Sequence, residues 1–168
     1  MKRFQEIHNF FDEPKAIRRF ALSRKFVDLH AFDREVYKRI AIVDIPGLTA
    51  KVESVMGPCL MLGMGFRLNY GGELPNNARH IDVGWGTHAL VVYLSICPEP
   101  IETGTAFWSS TRDEAKLMDL CHEEFNKGVI YRSDQPHSRW PLEAYGSSPE
   151  DGRLIAVAFF TPFSELEE

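Results

Sequence analysis

The sequence predicts a mostly β fold with flanking helices, on the plan of an eight-stranded jelly roll. Three observations lead there. From residue 59 onward, short runs rich in β-branched and aromatic residues follow one another closely, as in ALVVYLS at 89–95 and RLIAVAFFT at 153–161. Turn-forming clusters separate them, at Gly71-Gly72, 98–104, 126–128 and 146–152. The strands are not interleaved with regular crossover helices and no segment repeats, which argues against βαβ units. A double-sheet jelly roll fits the strand count, while composition and period leave other β-sandwiches open.

The elements are expected in this order. A helical and mixed lead-in occupies about 1–58. Asp12, Glu13 and Pro14 suit a helix start, because proline is tolerated in the first turn. Ile17, Phe20 and Ala21 then recur at helical spacing, with Phe26 extending the pattern. The basic residues Lys15, Arg18, Arg19, Arg24 and Lys25 read as the solvated face of that segment. A strand over 39–45 (RIAIVDI) stops at Pro46-Gly47, and a helix over 49–56 stops at Gly57-Pro58. Residues 59–70 form a long strand in which Gly63 and Gly65 suggest a bend or bulge. Strands follow at 79–83, 89–95 and 105–108, then a polar helix at 112–126, then strands at 128–132, 137–145 and 153–161.

Whole-chain properties narrow the function. At 168 residues, 44% hydrophobic and 26% charged, the chain is expected to be one globular domain, 1–168. A net charge of −5 gives no support to binding a nucleic-acid backbone, which favours basic stripes. No run reaches the ~18 apolar residues of a membrane span, and the N-terminus lacks a signal-peptide core. Cys59, Cys97 and Cys121 are odd in number without CxxC spacing, so they read as buried or half-buried thiols in a reducing compartment. The expected location is the cytoplasm. Oligomeric state is not legible.

The chemistry begins with His80 and Asp82 in RHIDVG. Residues two apart on an extended chain share a face, so an imidazole and a carboxylate can reach one ion. Chance alone supplies about 0.3 such pairs in a chain of this composition, so the pair by itself is weak. His137, after the proline-containing turn SDQPHSR, strengthens it. Two histidines and one carboxylate form the facial triad that holds non-haem iron(II) and leaves positions open. Two of those positions suit a chelating 2-oxoacid and the third dioxygen. Arg153 begins a core-like strand, where an isolated guanidinium would be costly to bury. Two readings fit it: a clamp on a carboxylate, for which the planar fork is suited, or a strand-end arginine facing solvent after SSPEDG.

The succession RLNYGG, HID, ALVVYLS, GTAFW, GVIYR, H and GRLIAVAFF resembles the iron(II)/2-oxoglutarate oxygenases, whose fold is the double-stranded β-helix, a jelly-roll or cupin-like architecture. The resemblance spans roughly 66–161 and is strongest to short, prolyl-hydroxylase-like bacterial and phage members. It implies iron(II) on His80, Asp82 and His137, 2-oxoglutarate clamped by Arg153, and Tyr70 as a hydrogen-bond donor to that cosubstrate. It further implies a dioxygenase that consumes O2, hydroxylates a C–H bond, and releases succinate and carbon dioxide. The substrate class stays open among a small metabolite, an amino acid and a peptidyl residue. Arg153 is followed by Leu154-Ile155, unlike the R-x-S of one subgroup, and no long insertion reads as a lid. The presence of Asp82 favours hydroxylation over halogenation. The rival reading is a jelly-roll binding module, or a cupin-type metal enzyme that does not use 2-oxoglutarate.

Other residues carry weaker expectations. His88 could support the first two ligands, and His8, His30 and His122 read as spare, His122 at the surface. Arg67 and Asn69 share a face opposite Phe66, Leu68 and Tyr70, and line either the pocket or the solvent side. Arg139, two residues from His137, could point into the same cavity. Trp85, Trp108 and Trp140 read as packing residues or pocket walls.

Overall fold

A computed structural model describes residues 2–30, 36–75, 78–96 and 102–166. In chain order the elements are β1 (Phe4–Ile7), α1 (Pro14–Leu22), β2 (Val27–His30), β3 (Val36–Ile42), α2 (Leu48–Met56), β4 (Cys59–Asn69), β5 (His88–Tyr93), β6 (Gly104–Trp108), β7 (Leu117–His122), β8 (Gly128–Arg132), β9 (His137–Trp140) and β10 (Arg153–Pro162). A seven-stranded antiparallel sheet runs β1-β8-β5-β10-β4-β3-β2, and a three-stranded sheet runs β7-β6-β9. This is the expected mostly β jelly-roll architecture, with both helices on the outside of the larger sheet.

The central strands explain the apolar runs. Every residue of β5 is buried. Ala89, Val91 and Tyr93 join an inner cluster between the sheets with Phe107, Val129 and Ile155. Leu90 and Val92 join an outer cluster beneath the helices with Phe66, Leu154, Leu48 and Val52. A strand covered on both faces reads as a continuous apolar run, not as an alternation. Fully burying each such side chain contributes about 1.5–3 kcal/mol, so this three-layer packing is what holds the larger sheet in place.

The bend expected in the long strand is present. Phe159 of β10 pairs with Gly63 of β4 and Phe160 with Met61, which leaves Leu62 as the extra residue of a bulge. Gly65 serves a different purpose: a Cβ there would lie 2.4 Å from the Ala41 carbonyl oxygen, so only glycine lets β3 approach β4 this closely.

Four local expectations differ from the structure. The polar segment 112–126 is not a helix; its middle forms β7. Lysine and glutamate favour a helix locally, but the buried strand β6 must satisfy backbone groups on both edges. It does so with β9 on one side and β7 on the other. Residues 79–83 are not a strand either; only His80 pairs, in an isolated bridge to His137. Arg18 is not part of a solvated face. It is buried and donates to the carbonyl oxygens of Leu94 and Glu150, each at 2.7 Å, tying α1 to the loops that follow β5 and precede β10. Finally, the lead-in contributes three strands as well as two helices, β1 and β2 being too short to show a period. Cys59 and Cys121 are free and buried, while Cys97 lies outside the described residues. Among the described residues, no helix is long and apolar enough to cross a membrane.

Candidate metal centre and anion pocket

The two halves of the candidate triad come together through backbone pairing. His80 N–H donates to the His137 carbonyl at 3.0 Å, and His137 N–H donates back to the His80 carbonyl at 2.9 Å. Asp82 N–H is held by the Ser133 carbonyl at 2.7 Å, just past the end of β8. These bonds place His80 and Asp82 on the free edge of β9, beside the open end of the smaller sheet.

The side chains then converge. Asp82 Oδ1 lies 3.6 Å from His80 Nε2, and Asp82 Oδ2 lies 3.2 Å from His137 Nε2. The imidazole centroids of His80 and His137 are 4.4 Å apart. All three potential ligand atoms lie within 4.8 Å of one another, close enough to share one cation. His137 Nδ1 sits 2.9 Å from the Gln135 carbonyl oxygen, an acceptor. A proton therefore belongs on Nδ1, and Nε2 is the nitrogen turned to Asp82: carrying a proton it donates to the carboxylate, and without one its lone pair is free for a metal. Burial by itself would raise the Asp82 carboxyl, but the hydrogen bond with His137 and the charges of His137, His80 and Arg67 outweigh it and hold the acid below its usual range. A half-buried ionised carboxylate beside two imidazole nitrogens is a donor set that fits a divalent metal such as iron.

Arg153 lies on the inner face of β10, and it and Asp82 both act on the hydroxyl of Tyr131 in the barrel interior. It is 4% exposed, its Nε has no hydrogen-bond partner, and one Nη reaches the Gly104 carbonyl only at 3.4 Å. Its guanidinium stands 6.0 Å from the ring of Tyr93. Of the two sequence readings of Arg153, solvent exposure is thereby removed. What remains is a buried cation with its fork largely unused.

The other sequence candidates divide. Asn69 pairs with Arg153 and Arg67 with Ile155 across the β4–β10 ladder. Residues directly opposite in an antiparallel pair point to one side. Because Ile155 belongs to the inner cluster, Arg67 and Asn69 line the interior, and the solvent reading is removed. Arg139 also turns toward that side; burial first, then the charges of Arg153 and Arg67, lowers its guanidinium to about 10. Tyr70 packs against the outer cluster, with the Arg39 guanidinium 4.0 Å above its ring. His88 stacks on Phe160 at 5.6 Å in the outer layer and bonds to Thr87 Oγ1, so it does not support the ligands. Trp108 is buried and donates to Ser138 Oγ at 2.9 Å, whereas Trp85 is half exposed and leans on Phe159.

Two residues that sequence reasoning missed are Tyr93 and Tyr131. Tyr131 packs its ring 4.7 Å from that of His137. Burial pushes its hydroxyl well above 10, with Asp82 adding to the rise and Arg153 and Arg67 opposing it. Both tyrosines sit in strands that read simply as apolar, and only knowledge of which face turns inward could have singled them out.

Comparison with known proteins adds the fold class. No protein-family model matches the sequence, and no curated protein is detectably similar to it. Solved structures do match. The non-haem α-ketoglutarate-dependent epimerase SnoN from nogalamycin biosynthesis superposes with a TM-score of 0.62 at 15% identity, over 94% of this chain and 77% of the epimerase. SnoN has also been solved with Fe3+, α-ketoglutarate and nogalamycin RO. A 2OG-Fe(II) oxygenase family protein from Burkholderia pseudomallei gives 0.61 at 11% identity, over 94% and 85% of the two chains. A Pseudomonas putida prolyl-4-hydroxylase gives 0.53 at 15% identity, over 94% and 91%. The chain therefore has the double-stranded β-helix fold of the iron(II)/2-oxoglutarate oxygenases. At these identities the likeness is one of fold.

Proposed function

We propose that this chain is an iron(II)- and 2-oxoglutarate-dependent dioxygenase that hydroxylates a C–H bond of a small metabolite, an amino acid or a peptidyl residue. The observation that carries the reading is one juxtaposition. The Asp82 of a His80, Asp82, His137 donor set and Arg153, a buried arginine whose Nε lacks a partner, both act on the interior Tyr131. An ion pair alone would explain the first, but not the second. Iron(II) together with 2-oxoglutarate and dioxygen supplies, when bound, oxidative decarboxylation coupled to C–H oxidation, with succinate and carbon dioxide released.

The chain's own residues have separate tasks. His80 Nε2, His137 Nε2 and one Asp82 oxygen would hold the metal, three protein ligands that would leave positions for exchangeable ones. The Gln135 carbonyl fixes the tautomer of His137. Arg153 clamps the distal carboxylate of the cosubstrate through its planar fork. The apolar walls, among them Val91, Val129 and Ile155, exclude water from the reacting end. Tyr131 stays protonated and keeps the His137 ring in place.

Anaerobic titration of the iron(II)-loaded protein with 2-oxoglutarate tests this directly. A saturable visible charge-transfer band is expected. Bound iron with no such band points instead to a metal-binding jelly roll that does not use 2-oxoglutarate. Failure to bind iron points to a binding module.

A further inference from the structure

The barrel interior holds more positive charge than a metal and one cosubstrate can use. Arg67, Arg139 and Arg153 act on one another there, and Asp82 is the carboxylate among them. A divalent metal raises the sum to four formal positive charges, and 2-oxoglutarate removes two. Tyr93 and Tyr131 offer no compensation, because burial keeps both hydroxyls protonated. Among the described residues, Glu73 is already paired with Arg39, and Glu123 is a further carboxylate that acts on Tyr93. It is partly exposed and accepts the Tyr145 hydroxyl at 3.1 Å on both oxygens. Counting it still leaves one cation over.

Arg67 is the group left unmatched. Arg139 donates to the carbonyl oxygens of Leu142 and Glu73, and Arg153 has the role proposed above. Arg67 has a fully buried Nε with no hydrogen-bond partner, makes no ion pair within 4 Å among the described residues, and stands over the ring of Tyr37 at 5.6 Å, with Asp82 acting on it only at longer range. It stands one inward-facing pair closer to the Tyr131 end of the barrel than Arg153, a step of about 7 Å along the strand. Next to it the interior opens. On β10, Val157 and Phe159 are only partly buried, and they face Gly65 and Gly63, which carry no side chain. A half-buried arginine whose Nε is shut off from water without a partner, beside open space, is costly for folding alone, as expected of a group retained for a ligand.

We propose that Arg67 is the anchor for an anionic group, a carboxylate or phosphate, on the compound that is oxidised. This rests on the oxygenase reading and narrows its substrate to a small acidic molecule or an acidic side chain.

The test uses the iron(II)-loaded protein under anaerobic conditions, saturated with 2-oxoglutarate. The probes are acetate and inorganic phosphate, read by the enhanced relaxation of the acetate methyl protons and of the phosphorus near paramagnetic iron. One saturable site is expected for at least one probe, and which probe binds tells carboxylate from phosphate. Arg67→Met is expected to weaken that probe at least tenfold, to change 2-oxoglutarate affinity less than twofold, and to raise the melting temperature of the unliganded protein. Three results overturn the proposal: no second anion in the wild type, a loss of 2-oxoglutarate affinity in Arg67→Met comparable to that in Arg153→Met, or a sharp drop in its melting temperature. The second would make Arg67 part of the cosubstrate site, and the third would make it structural. Absence of the 2-oxoglutarate band in the wild type removes the oxygenase reading separately. The probes are then titrated without cosubstrate, where an Arg67-dependent site still supports the anchor and its absence overturns it.

Discussion

His80 and His137, 57 residues apart in the chain, exchange both backbone hydrogen bonds, at 3.0 and 2.9 Å. The pairing holds the two imidazoles 4.4 Å apart by main-chain bonds that no side-chain substitution removes. Variants of the triad should therefore keep the fold and lose only the ligand atoms.

For that reason His137→Ala and Asp82→Ala are expected to abolish iron-dependent 2-oxoglutarate turnover with far-UV circular dichroism unchanged. Metal content after gel filtration and succinate release are the measurements. Undiminished succinate release in either variant would remove the triad assignment.

Arg153→Ala separates the cosubstrate from the metal. Its fork is expected to supply one to two charge-assisted hydrogen bonds, so the variant should bind 2-oxoglutarate about 100-fold more weakly, or about 2.7 kcal/mol. Iron affinity should stay within about twofold, since Arg153 is not a ligand. Equal affinities for 2-oxoglutarate in the wild type and the variant would contradict the clamp.

Acid stability should depend on Glu6. Its carboxyl is held down to about 2, first by the hydrogen bond from Lys2, with burial opposing and Lys127 adding to the lowering. The folded value lies below the ordinary 4.5, so this stabilisation is full above about pH 5 and is lost as pH falls toward 2. Glu6 is open to water on one side, which limits the contribution to about 1 kcal/mol. Urea midpoints measured from pH 7 to pH 2 should fall less steeply in Glu6→Gln. At neutral pH, Glu6→Ala should cost about 2 kcal/mol, because it strands the buried Lys127 ammonium now 3.1 Å from Glu6. Parallel pH profiles for the wild type and Glu6→Gln would show that the pair carries no such weight.

The described thiols should be inert in the native state. Burial pushes Cys121 up to about 11 and also raises Cys59, so neither forms thiolate at neutral pH. In a Cys97→Ser background, an aromatic disulfide reagent at pH 8 should titrate no thiol before unfolding and two after it. Rapid reaction of the folded variant would mean that one of the two strands is less tightly packed than described.

Much of the barrel was legible because its core strands are apolar over their whole length. Burial on both faces left continuous runs at 89–95 and 153–161, and turn residues marked their ends. The segment 112–126 misled because its side chains favour a helix, and the demand that made it a strand lies in another strand, β6. Arg18 misled for a related reason: a basic residue on a helix looks solvated until the carbonyls of Leu94 and Glu150 are known to face it.

What the sequence determined by itself is the local chemistry. Spacing puts His80 and Asp82 on one side of an extended segment, and residue type makes Arg153 suited to a carboxylate, with a solvent-facing role left open. Convergence was decided by the tertiary structure, since the approach of His137 to Asp82 depends on a bridge between distant segments. The same holds for facing. Register across β4 and β10 turned Arg67 and Asn69 inward, while Tyr70, one residue further on, went to the outer layer. The alternation of a strand states that neighbours face opposite ways. Which way is inside depends on the partner strand and the layer that covers it.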